Sequence, residues 1–280
     1  MAPDALRLRD VLVRRHGRDG RPLLLLDGID WTVAPGEQWV VLGPNGAGKS
    51  TLLRLAGGGM QPTSGRVEVL GARVGGVDLR DLRERIGLVD AATARALRPS
   101  LSGHEVVLTG IFGSIALQPR RLRPEHDEHV RAALALVGAE PLAIRRYEDC
   151  SQGERQRLLL ARALVGRGGT GPELLLLDEP AAGLDLPSRE RLVGALAASA
   201  AARPDLPTVT VTHHLEEIPP TTTHALLLRG GRIVAAGPVG EVLRSEPVGA
   251  CFGLPVAVDR TDGRWRAHVA VDAWHLTDHA

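Results

Sequence analysis

Several residue types are scarce in this chain, and each shortage excludes something. Two cysteines, Cys150 and Cys251, stand in 280 residues. No disulfide framework can hold such a chain, and a reducing compartment suits it. Neither sign of charge dominates: 34 basic residues face 33 acidic ones, for a formal net charge of +1. That balance excludes a strongly basic nucleic-acid binder and a polyacidic tail protein, so no direct nucleic-acid partner is expected. No apolar run reaches the length of a membrane span. The longest candidate, around Val106 to Leu117, is short and interrupted by Thr109, Gly110, Gly113 and Ser114. The opening MAPDALRLRD lacks the apolar core of a signal peptide. These absences predict a cytoplasmic protein. The scarcest residue is lysine: of the 34 basic residues, only Lys49 is not arginine.

What is present fits a folded α/β protein. Hydrophobic residues make up 44% and charged residues 24%, enough to build a core. Residues 5–42 read as strands: Leu6 to Val13 alternates in part, Gly17 to Arg21 is a turn, and Gln38 to Leu42 is apolar on both faces. Ser50 to Ala56 has helical spacing, 65–78 reads as a hairpin turning at Gly71, and 86–89 (IGLV) is a short strand. From about 102 to 165 the pattern turns helical, with apolar residues at i, i+3 and i+4 through HVRAALALV. Strands return at 174–177, 208–212 and 225–228, with a helix over 188–202. Strands alternating with helices imply a mostly parallel sheet covered on both faces. The tail after Gly240 is more polar and carries a hairpin signal at Asp262-Gly263.

The lone lysine closes the run Gly43-Pro44-Asn45-Gly46-Ala47-Gly48-Lys49-Ser50, which fits G-x-x-x-x-G-K-[ST]. It follows a predicted strand and opens a predicted helix. Glycines let the backbone curl so that successive N–H groups point at one anion, and the helix presents its positive end to it. Lys49 adds a compact ammonium for outer phosphates, where a broad guanidinium would not fit. Ser50 offers a hydroxyl to Mg²⁺. By composition the pattern arises about once in a thousand such sequences, so an exposed Gly-rich turn is a poor alternative. A second segment, Leu174 to Leu177 followed by Asp178-Glu179-Pro180, is an apolar strand ending in two carboxylates. At the carboxyl edge of a parallel sheet such residues meet ligand. Asp178 is the natural Mg²⁺ partner, and Glu179 is placed to polarise an attacking water.

Other segments give the chain a family resemblance. Cys150-Ser151-Gln152-Gly153-Glu154 resembles the LSGGQ signature of ABC transporter ATP-binding subunits, and is followed by Arg155-Gln156-Arg157 and LLLARAL. Ala182-Gly183-Leu184-Asp185 is similar to the D-loop, and Val211-Thr212-His213 to the switch-histidine strand. The match covers about residues 5–245. The resemblance implies a P-loop NTPase with a RecA-like parallel core sheet, an N-terminal antiparallel β subdomain and an inserted helical subdomain. It divides the chain into an ATPase domain, 1–245, with its helical part at about 102–165, and a C-terminal extension, 246–280. It implies ATP hydrolysis with Mg²⁺, driving solute transport through separate transmembrane permease subunits. The expected place is the cytoplasm or the inner face of the cell membrane. Lys49, Glu179 and His213 would be catalytic. Gly43 to Thr51, Ser151, Gly153 and Asp185 would contact nucleotide, and Ser50 and Asp178 the metal. With one phosphate loop in the chain, two copies would close head to tail around two nucleotides.

Three departures from the family pattern stand out. Ala91 occupies the position of a glutamine that relays to the membrane subunit. Arg15 or His16 stands near the place of the aromatic that stacks on adenine. Cys150, Gln152 and Glu154 replace Leu, Gly and Gln of the signature. Ala91 keeps open a second reading, a soluble ABC-type ATPase without a membrane partner, acting as a switch or in repair or regulation. A GTPase is disfavoured, because its N-K-x-D motif needs a second lysine, and a P-loop metabolite kinase would lack the signature. His214 reads as a polar strand-end residue. The His126–His129 cluster and the pairs Arg120-Arg121 and Arg145-Arg146 read as solvated faces.

Overall fold

The structure is a computed structural model and describes residues 3–16, 22–76, 82, 85–166 and 171–269. Strands β1 (Leu6–His16) and β2 (Pro22–Val33) pair antiparallel. Their register shifts at three places between Leu8 and Arg14, which is why the alternation is only partial in the sequence. The expected turn at Gly17–Arg21 lies outside the described residues. Strand β3 (Gln38–Leu42) enters a second sheet, and α1 (Lys49–Ala56) follows the glycine-rich loop. β4 (Ser64–Val69) and β5 (Ala72–Arg73) turn through Leu70 and Gly71 and complete the first sheet in the order β2-β1-β4-β5. This is the expected hairpin, with residues 77 and 78 outside the described set.

The second sheet adds β6 (Ile86–Val89), β7 (Leu174–Asp178), β8 (Thr208–Val211), β9 (His224–Arg229) and β10 (Arg232–Pro238). Its order is β10-β9-β3-β8-β7-β6; every pair is parallel except β9 with β10. Strand β7 explains its own sequence. Leu175 and Leu177 pack into a helical core, while Leu174 and Leu176 pack against α1 and the first sheet. Both faces are dry, so four consecutive leucines are required rather than an alternation. Each buried leucine contributes about 1.5–3 kcal/mol.

Between β6 and β7 lie α2 (Ala91–Ala96), α3 (Gly103–Ile111), α4 (Pro124–Leu136) and α5 (Gln152–Val165). The expected helical stretch is thus three helices preceded by a short one. Ser102 caps α3 in a reciprocal pair with Glu105. Gly110 lets α3 approach α5, since a Cβ there would lie 2.2 Å from the Arg162 carbonyl oxygen. The His126–His129 cluster departs from the solvated face its charges predict. His126 is buried, its Nδ1 accepts the Arg123 N–H at 3.2 Å, and its ring meets Phe112 edge-on at 5.6 Å. The cause is the turn before α4, which uses His126 as a capping acceptor. Among the described residues no group of three or more His, Cys, Asp or Glu could hold a metal ion.

Helix α6 (Leu186–Ala202) follows β7. After β10 come α7 (Val239–Val242), α8 (Ser245–Phe252) and a hairpin of β11 (Val256–Thr261) and β12 (Arg264–Val269), turning at the expected Asp262-Gly263. This tail is part of the packing. Val248, Cys251 and Trp265 share a core with Val40, Leu42, Ala225 and Leu227 of the sheet. Among the described residues no helix is long and apolar enough to cross a membrane.

A candidate phosphate site at the carboxyl edge of the sheet

Strands β3, β8 and β7 are adjacent and parallel, so their carboxyl ends open on one edge. β3 delivers the loop Gly43–Ser50, β7 delivers Asp178 and Glu179, and β8 delivers Thr212 and His213. Segments more than a hundred residues apart meet because strand order, not chain order, sets neighbours.

The loop is held from behind by the turn after β9. A Cβ on Gly43 would lie 2.0 Å from the Leu228 carbonyl oxygen, and the Gly231 N–H donates to the Ala47 carbonyl at 2.9 Å. Gly48, at φ 104, is the N-cap residue of α1 and supplies no side-chain cap. The first N–H groups of the helix therefore have no intrahelical acceptor and face the loop. Ala47 is buried, Pro44 and Gly48 are half-buried, and Asn45, Gly46 and Ser50 are exposed; Thr51 follows, half-buried. Lys49 is buried, and its Nζ donates to the carbonyls of Gly43 at 2.8 Å and Pro44 at 3.1 Å. Burial lowers its pKa, against the pull of Glu179 and Asp178.

Opposite the loop, Ser50 Oγ donates to Asp178 Oδ1 at 3.3 Å. Burial raises the Asp178 pKa, with Ser50 opposing and Glu179 adding to the rise. An ammonium pushed down and a carboxyl pushed up mark charges withdrawn from water without full compensation. A hydroxyl and a carboxylate this close are hard oxygen donors suited to Mg²⁺. Glu179 adopts φ 48, a left-handed backbone uncommon for a residue with a side chain, and its N–H donates to Val211 O at 2.9 Å. His213 Nδ1 stands 3.3 Å from Glu179 Oε1, within ion-pair reach but not aligned as a hydrogen bond. The adjacent His214 is exposed, as expected of a polar strand-end residue.

Ser151, Gly153 and Asp185 form a second group. Ser151 caps α5: its Oγ accepts the Glu154 N–H at 3.3 Å and its own N–H donates to Glu154 Oε2 at 2.8 Å. Glu154 also binds Arg145 at 2.8 Å, which gives the departure from glutamine a structural use, while Arg145 and Arg146 stay exposed as expected of a solvated face. Gly153 abuts α6, where a Cβ would lie 2.6 Å from Ser188 Cβ. Gln152 Nε2 donates to the Ala182 carbonyl at 2.8 Å, and Asp185 caps α6 by accepting the Ser188 N–H at 3.0 Å. Among the described residues no hydrogen bond or ion pair joins this group to the phosphate loop.

Ala91 is the first residue of α2, whose cap is Asp90 accepting the Thr93 N–H at 2.7 Å. It lines a cavity of about 640 Å³ that also reaches Ser50, Asp178 and Arg162. Arg15 is exposed at the end of β1, and His16 pairs with Pro22. The left-handed Glu179 and the support from Leu228 and Gly231 escaped sequence reading. The Gly230-Gly231 pair is the one signal that could have pointed to a close backbone approach.

Comparison with known proteins decides the family. The family model described as ABC transporter matches residues 26–182. The chain belongs to the ABC transporter family. It is 40% identical to the ABC transporter ATP-binding protein YlmA of Bacillus subtilis (strain 168), over 90% of this chain and 92% of that one. It is 36% identical to the hemin import ATP-binding protein HmuV of Rhodopseudomonas palustris, over 84% and 85% of the two chains. A solved dimeric post-hydrolysis structure of the ATP-binding cassette MJ0796, bound to ADP and Pi, superposes with a TM-score of 0.70 at 24% identity, over 84% of this chain and 98% of that one. At that identity the likeness establishes the ABC cassette fold.

Proposed function

We propose that the chain is the ATP-hydrolysing subunit of an ABC importer, a reading supported by its similarity to hemin and methionine import ATP-binding proteins. The observation that carries this reading is the meeting of Lys49, Ser50, Asp178, Glu179 and His213 at one sheet edge. The loop amides of Gly43 to Thr51 and the Lys49 ammonium hold the phosphates. Lys49 exchanges its two carbonyl contacts for phosphate oxygens. Ser50 and Asp178 would hold Mg²⁺, which would spread the phosphate charge. Glu179 orients and polarises the attacking water, and His213 holds Glu179 and the outer phosphate in line. Most of the rate comes from positioning and charge stabilisation rather than covalent chemistry.

Ser151, Gly153 and Asp185 stand apart from the loop of their own chain, so they complete the site of a second copy. Two chains close head to tail around two nucleotides, as the dimeric cassette neighbour supports. Residues 1–245 form the ATPase domain, with its helical part at about 102–165, and residues 246–280 the extension. The transport work passes through separate membrane subunits, with this chain at the cytoplasmic face. Purified protein should hydrolyse ATP only with Mg²⁺, and sedimentation should show ATP-driven dimers when hydrolysis is blocked; a persistent monomer at high concentration rejects the composite site.

Ala91 favours one second reading. With no glutamine to relay to a membrane partner, the chain would act as a soluble switch. Affinity capture of the native complex separates the two: a polytopic membrane protein supports import, and its absence supports the switch.

A further inference from the structure

The C-terminal hairpin sits on the segment that carries His213. Trp265 of β12 is buried in the same core as Leu215 and Ile218, the first residue of the short turn Leu215–Glu217 and the residue just after it, a turn that follows His213 and His214 directly. Arg260 covers the outer face of Trp265, 5.1 Å from the ring centre. Beside it, Arg264 spans two elements. Its Nη1 and Nη2 donate to Glu190 Oε2 and Oε1 at 2.6 and 3.2 Å, and Nη2 also donates to the Glu216 carbonyl.

Glu190 lies on α6, and α6 begins at the Asp185 cap. That end of α6 is in turn tied to α5, through Gln152 on the Ala182 carbonyl and through Gly153 against Ser188. One unbroken path of contacts therefore runs from Ser151 and Gly153, through Ala182 and α6, to Arg264, and from Arg264 to the turn behind His213. From inside, the same turn is held by the Thr212 hydroxyl donating to buried Glu217. The path matters because its two ends serve different nucleotides. Under the proposed function, the Ser151 end closes on the partner's nucleotide and His213 works on the chain's own.

We propose that Arg264 is a positioning residue through which the C-terminal hairpin locks the His213 turn to α6, so that closure at one composite site is transmitted to the histidine of the other. The planar, bidentate guanidinium suits this role, because it fixes direction as well as distance. The inference rests on the proposed ATPase reading.

The test uses the full-length protein. Arg264→Ala should lower kcat for ATP hydrolysis about tenfold, within the range of ordinary allosteric coupling. KM for ATP and the number of ATP sites titrated per chain should stay within about twofold, because Arg264 touches neither the phosphate loop nor Asp178 and Glu179. Arg264→Lys should recover only part of the rate, since an ammonium cannot hold Glu190 and the Glu216 carbonyl in one plane. Glu190→Gln offers the same loss from the other partner if Arg264→Ala folds poorly. Unchanged kcat in both variants overturns the inference and leaves the ATPase reading intact. Loss of kcat in step with loss of ATP sites and a lower Tm also overturns it, because the hairpin then only supports the fold. An unaltered protein that neither binds nor hydrolyses ATP rejects the ATPase reading and this inference together.

Discussion

Ser50 Oγ and Asp178 Oδ1 stand 3.3 Å apart, joined by a hydrogen bond between residues 128 positions apart in the chain. One ends the phosphate loop and the other ends the strand of four leucines. The pair marks where β3 and β7, separated only by β8, bring a hydroxyl and a carboxylate together at one sheet edge.

Lys49→Ala should weaken ATP binding strongly while the protein stays folded. Lys49 is buried but bonds only to loop carbonyls, so its loss removes a charge without opening a large cavity. Nucleotide titration should show affinity weaker by roughly a hundredfold or more, about the 3 kcal/mol of a charge-assisted contact to phosphate. Far-ultraviolet dichroism should be unchanged. Equal affinity in the variant would remove the basis of the site.

Glu179→Gln should bind Mg-ATP as well as the unaltered protein but turn over about 10²–10⁴-fold more slowly, the usual contribution of a positioned base. Single-turnover hydrolysis reads this. Sedimentation in ATP should then show accumulation of dimer. Near-normal turnover would assign the base to another group.

Asp178→Asn should stabilise the metal-free protein at neutral pH. Burial raises the Asp178 pKa in the folded state. A raised carboxyl favours folding below its unfolded value, and the advantage is lost as pH rises through the folded value. At pH 7, above the unfolded value, the group therefore weighs against folding, and asparagine removes that weight. Melting with EDTA should show a higher Tm for the variant at pH 7 and a vanishing difference toward pH 3. Mg²⁺ with ATP should raise Tm of the unaltered protein and much less that of the variant.

Gly153→Ala should push α5 away from α6. The added methyl would lie 2.6 Å from Ser188 Cβ and 2.7 Å from Ser188 Oγ. Overpacking of this kind costs about 1–3 kcal/mol. Turnover should fall with the composite site, while ATP binding to the loop of the same chain persists. Urea unfolding beside nucleotide titration separates the two effects.

Both cysteines should resist thiol reagents in the native protein. Cys150 and Cys251 are buried. Burial raises both thiols, that of Cys251 to about 11. At pH 8 roughly a thousandth of the Cys251 population is thiolate, and even that fraction is covered. Labelling with Ellman's reagent should count no thiol in the native state and two in guanidinium.

Much of the fold is legible in the residue order because its elements have local causes. The solitary lysine, the glycines before it and the leucine run ending in Asp178 identify loop and strand through backbone freedom and two-sided burial. Ser102 and Ser151 signal helix starts through the same capping chemistry. His126 misled because its neighbours are charged, whereas its burial depends on a turn that needs an acceptor and on Phe112 arriving from another helix. Irregular pairing breaks the alternation of β1, and the short helix α2, capped by Asp90, has no apolar face to announce it in the residue order.

Residue order alone supplies the atoms of the site: one ammonium, a hydroxyl, two carboxylates and a histidine, each at the end of a strand or loop suited to hold it. Short-range forces account for the turns and caps, because these depend on neighbours within a few positions, and the apolar run marks a strand that some partner must cover. The complete fold is what sets β3, β8 and β7 side by side, gives Glu179 a left-handed backbone beside His213, and brings Arg264 to Glu190 across 74 residues. Those contacts arise from packing both faces of one sheet at once, a condition on the whole chain that no local pattern carries.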